Sequence, residues 1–115
     1  MGIMFTTYLA VGVRVDEKDF PGSVFDDRWI QYSEGRAGVE IRILQGQASQ
    51  LDDGSCPIYI GKVIASWSRH DNGDGFKAYI PTADDFMVVD QFIEDNFCHE
   101  GIGDSAKLMF FTIAS

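Results

Sequence analysis

Along residues 5–15 two sets of positions alternate: Phe5, Thr7, Leu9, Val11, Val13 and Val15 on one side, Thr6, Tyr8, Ala10, Gly12 and Arg14 on the other. A period of two marks a strand with one buried face, because successive side chains of an extended chain point to opposite sides. The charged, Pro- and Gly-containing stretch 16–23 cannot continue a ladder and reads as a surface loop. Within Phe25 to Tyr32, Trp29, Ile30 and Tyr32 favour a further strand. Ser33-Glu34-Gly35-Arg36 then reads as a hairpin tip leading into alternating Val39-Glu40-Ile41-Arg42-Ile43, with Glu40 and Arg42 on its outer face. Segment 46–56 has no apolar period and is the longest expected loop. Ile58 to Trp67 is apolar on both faces, which predicts an interior strand. Asn72-Gly73 predicts a hairpin within 70–75, with Phe76, Ala78 and Ile80 in the returning strand.

The period changes to 3.6 over 82–98, where Phe86, Val89, Ile93 and Phe97 fall on one stripe of a helix. Thr82 is placed to cap it, Pro81 precedes it, and Asp84 and Asp85 sit where the helix dipole favours negative charge; Gly101 is the expected stop. Lys107 to Ala114 is apolar on both sides and predicts a closing strand in the centre of the sheet. The element order predicts one α+β domain over 1–115: a mostly antiparallel sheet of five to six strands with one long helix, about 82–98, packed on one face. The helix stripe is expected to bury against strands containing Leu9, Val11 and Phe110.

Charge changes this picture by being local. The chain of 115 residues has a formal net charge of −9, yet no lysine or arginine lies between Lys77 and Lys107, while 78–106 holds seven of the eighteen acids. Such a surface repels nucleic acid and anionic membrane, whose phosphates demand Lys and Arg, and attracts basic protein surfaces. Two cysteines, Cys56 and Cys98, are too few for a disulfide framework and fit a reducing compartment, so a cytoplasmic protein is expected. The opening MGIMFTTYLAVGVRV lacks a basic start, and Arg14 interrupts a run too short to span a membrane.

Candidate chemistry is sparse. In a calcium-loop register the 71–75 segment DNGDG would put His70 and Pro81 where the two essential carboxylates belong. Cys56, His70, Cys98 and His99 lack zinc-site spacing, and the Gly101-x-Gly103 pair follows a helix instead of opening one. Asp26-Asp27 and Asp52-Asp53 are carboxylate pairs without any sign of the cleft that a hydrolase needs. No catalytic residue, metal or cofactor is therefore expected.

Two surfaces remain. The outer side of the helix carries Asp84, Asp85, Met87, Val88, Gln91, Glu94 and Asp95, a mixture of acid and apolar character that suits contact with a basic protein surface. Carboxylates spaced along a helix imitate a run of phosphates, so the expected partner includes a nucleic-acid-binding enzyme that the protein inhibits or modulates, in the manner of a phage or mobile-element accessory protein. The alternative is a homo-oligomeric small-ligand binder in which Trp29, Tyr32, Tyr59 and Trp67 line an aromatic pocket.

Overall fold

The alternating segments form strands and the 3.6-residue segment forms a helix in a computed structural model that describes residues 5–36, 38–46, 56–68, 81–97 and 105–114. In chain order the elements are β1 (Phe5–Asp16), a 3-10 turn (Glu17–Asp19), α1 (Ile30–Ser33), β2 (Ile41–Gln45), β3 (Pro57–Ser68), α2 (Ala83–Phe97) and β4 (Lys107–Ala114). The four strands make one sheet in the order β2-β3-β1-β4, with every neighbouring pair antiparallel. β1 and β2 are thus parallel across β3, and β3 and β4 parallel across β1, so the connectivity is two interleaved split β-α-β units. The protein is α+β, and its long helix lies on one face of a four-stranded sheet; the hairpin expected within 70–75 and the strand expected at 76–80 lie outside the described residues.

The predicted helix stripe is core. Val89, Ile93 and Phe97 are buried and Phe86 half-buried, packed with Val11 and Val13 of β1, Ile41 and Ile43 of β2, and Ile58 and Ile60 of β3. Of the strands expected under the stripe, β1 with Val11 is there, whereas β4 adds nothing to this cluster: Phe110 is 69% exposed and Leu108 52%. β4 is also an edge strand instead of the predicted central one. Its apolar character on both sides has another origin. Met109, Phe111 and Ile113 pack with Tyr8, Ala10 and Tyr59 on the sheet face away from α2, while α2 packs mainly over β1 and β3 and leaves Leu108 and Phe110 largely exposed.

The segment expected to be a strand at 25–32 is instead a run of turns that ends in the single helical turn of α1, and the difference follows from local chemistry. Ser23 and Asp26 bond reciprocally: the Ser23 N–H donates to Asp26 Oδ2 at 2.9 Å and the Asp26 N–H to the Ser23 carbonyl at 3.0 Å. This N-terminal box starts a helical turn. Gly35 stops it in the left-handed region at φ 64°, and the Arg36 N–H returns to the Gln31 carbonyl, a Schellman closure where a hairpin tip was expected. The turn delivers Trp29 into the core, where its ring stacks on Phe97 at 4.8 Å and 16° and Phe20 tilts against both. Tyr32 meets Phe92 edge to face at 5.0 Å.

β1 and β3 approach closely at one rung, where Gly12 faces Gly61. A Cβ on Gly12 would land on the Ile60 carbonyl oxygen, and one on Gly61 on that of Val11, so neither position accepts a side chain without moving backbone. A register shift between Leu9 and Ala10 leaves Ile64 as one extra residue on β3, and Ile64 packs against the main core.

Candidate surface of the long helix

α2 carries both structural and outward-facing acids, and the fold separates them. Asp85 is 3% exposed; its Oδ1 accepts from Lys62 Nζ on β3 at 2.7 Å and its Oδ2 from the Thr82 N–H at 2.8 Å. This is half of a capping box, with the acid three residues into the helix satisfying the N-terminal donor. The Lys62 hydrogen bond and then the Thr82 N–H hold the Asp85 carboxyl below the usual carboxylate range. Asp85 therefore ties the helix to the sheet, and its expected place in a partner-binding face is corrected. Val88 is half-buried against the core and marks the border of that face.

Asp84, Met87, Gln91, Glu94 and Asp95 are exposed, Met87 at 65%. At 100° per residue they occupy an arc about 100° wide, opposite Val89 and Ile93. Gln91 Nε2 donates to Asp95 Oδ1 at 2.8 Å, fixing one turn of the arc. Asp90, beside the arc, accepts from the Ala106 N–H at 2.8 Å and anchors the approach to β4. Among the described residues Asp84, Glu94 and Asp95 form no ion pair. The arc has a net negative charge and includes one exposed apolar residue, Met87.

The four aromatics expected to share a pocket are divided between the two faces of the sheet, and only Trp29 and Tyr32 show a mutual ring contact among the described residues. Trp29 and Tyr32 belong to the helix side of the sheet, Tyr59 stacks on Phe111 on the opposite face, and Trp67 stands near the far end of β3 opposite Thr7. What the sequence reading missed is the composition of that opposite face. The alternating partners of the β1 core set, Tyr8 and Arg14, lie there with Arg42 and Lys107, and the signal was the same period-two pattern read on its other side.

Among the described residues no three His, Cys, Asp or Glu side chains gather as a metal site, and no helix is long and apolar enough to cross a membrane. The DNGDG segment, Cys98, His99 and Asp52-Asp53 lie outside the described residues. Cys56 is half-buried; burial, and then the charge of Glu17, push its thiol pKa up, which disfavours the nucleophilic thiolate. Comparison with known protein families, with curated proteins and with solved structures finds no match.

Proposed function

We propose that the protein is a small acidic binding protein whose α2 arc docks on a basic protein surface. The observation that carries this reading is the arrangement Asp84–Met87–Gln91–Glu94–Asp95: exposed acids without ion-pair partners among the described residues, set beside a 65% exposed methionine. The carboxylates would steer a cationic surface into place, and Met87 would supply apolar contact once water is excluded. A nucleic-acid-binding enzyme fits best as the partner, because carboxylates along a helix offer its cationic groove a rigid substitute for phosphates, and the protein would act as its inhibitor or modulator. Affinity capture from lysate at low and high salt tests the proposal. Electrostatically held basic proteins should be retained at low salt and released at high salt; capture that is indifferent to salt would count against it.

A further inference from the structure

The chain has eighteen acids and nine Lys and Arg residues, yet among the described residues the cations do not all find an acid. Lys62 pairs with Asp85, Lys18 with Asp16 and Arg36 with Glu34. Arg14 and Lys107 have no acidic partner among the described residues, and the register makes them neighbours: Gly12 faces Lys107 across the β1–β4 ladder, and Arg14 follows two residues along β1 on the same side. In a protein of net charge −9, two cations left side by side form a local site of the opposite sign.

Two adjoining depressions of about 280 and 290 Å³ share Arg14 and Met109. The first is a notch where β4 begins, bounded by Gly12, Ser105 and Lys107. The second is walled by Tyr59 and Phe111, whose rings stack at 3.8 Å and 4°, with Tyr8 continuing the row at 5.4 Å from Phe111. Tyr59 faces Arg14 in the ladder and Phe111 faces Tyr8, so the two rings come from strands on either side of β1 and meet across it. The adjoining depressions therefore have a cationic end and an apolar end. Each volume is close to the lower end of the range of small-molecule sites, roughly 300–1,000 Å³.

We propose that this sheet face binds a small planar aromatic anion, with its phosphate or carboxylate on Arg14 and Lys107 and its ring against Met109 and the Tyr59–Phe111 pair. Arg presents a planar fork that matches either anion, and Lys adds a point charge. The thioether and the ring row give the flat portion dispersion contact. A single small anion meets the repulsion of the acidic chain only once, whereas a nucleic-acid strand meets it at every phosphate, so the occupant is a monomer.

The test is calorimetric titration of the whole protein with adenosine 5′-monophosphate and with 2-naphthoate, alongside adenosine, inorganic phosphate and an eight-residue oligo(dA). Saturable binding of one or both aromatic anions is expected, with adenosine and phosphate at least tenfold weaker; which anion binds distinguishes a phosphate ligand from a carboxylate one. Arg14→Gln and Lys107→Gln should each weaken that binding about tenfold or more, with an unchanged thermal midpoint. The proposal is overturned if neither anion binds, if the folded double variant binds as the wild type does, or if the oligonucleotide binds more tightly than the monomer.

Discussion

Asp85 differs from the other acids of α2 in what it faces. It is covered by the Lys62 side chain and the first helical turn, so the hydrogen bonds that favour its charged form outweigh the desolvation that opposes it, and its folded-state pKa lies below the ordinary value of 3.8. The stability it contributes is complete above the unfolded-state pKa and is lost as pH falls through the depressed folded-state value. Asp85→Asn should therefore lower the thermal midpoint at neutral pH, and the deficit should shrink below about pH 4. Melts recorded from pH 7 downward check this, and a deficit constant throughout would assign the loss to geometry instead of charge. Gly12 makes a second prediction at this scale. Because its missing side chain is what lets β1 and β3 approach, Gly12→Ala should cost about 1–3 kcal/mol in denaturant unfolding, as overpacked sites do.

At the scale of elements, α2 is held by one stripe and presents another. Phe97 is fully buried and stacked on Trp29, so Phe97→Ala should destabilise by about 3–5 kcal/mol. Met87→Ser on the opposite side should stay within about 0.5 kcal/mol. Equal effects of the two substitutions on the thermal midpoint would show that the helix faces are misassigned. The long elements were legible because β1 and α2 each repeat an unambiguous apolar period over more than two turns or pleats, and β3 is a long apolar run. α1 was not, because Trp29, Ile30 and Tyr32 have strand-like propensity while Ser23, Asp26 and Gly35 carry the helix signals, and one helical turn is too short for periodicity to decide. β4 was misplaced for a related reason. Apolar residues on both faces imply cover on both faces, and the sequence does not reveal that α2 stops short of the sheet edge.

Taken whole, the molecule sets an acidic helix arc on one side of the sheet and Arg14, Arg42 and Lys107 on the other. The charge run of 78–106 was readable in the chain, but its division was not: Asp85 and Asp90 hold the fold together, and the arc Asp84, Glu94 and Asp95 faces outward. The cationic face was hidden because its members come from three strands far apart in sequence, and only the strand order brings them together. The central claim is that the acidic arc is an interface. Its most direct test is the association rate constant between the captured basic partner and either the wild type or an Asp84→Lys, Glu94→Lys, Asp95→Lys triple variant, at low and at physiological salt, with circular dichroism confirming the fold. The interface account predicts association slowed about tenfold or more, with its salt dependence lost and the dissociation rate changed far less. A folded triple variant that associates at the wild-type rate, with the wild-type salt dependence, would contradict it.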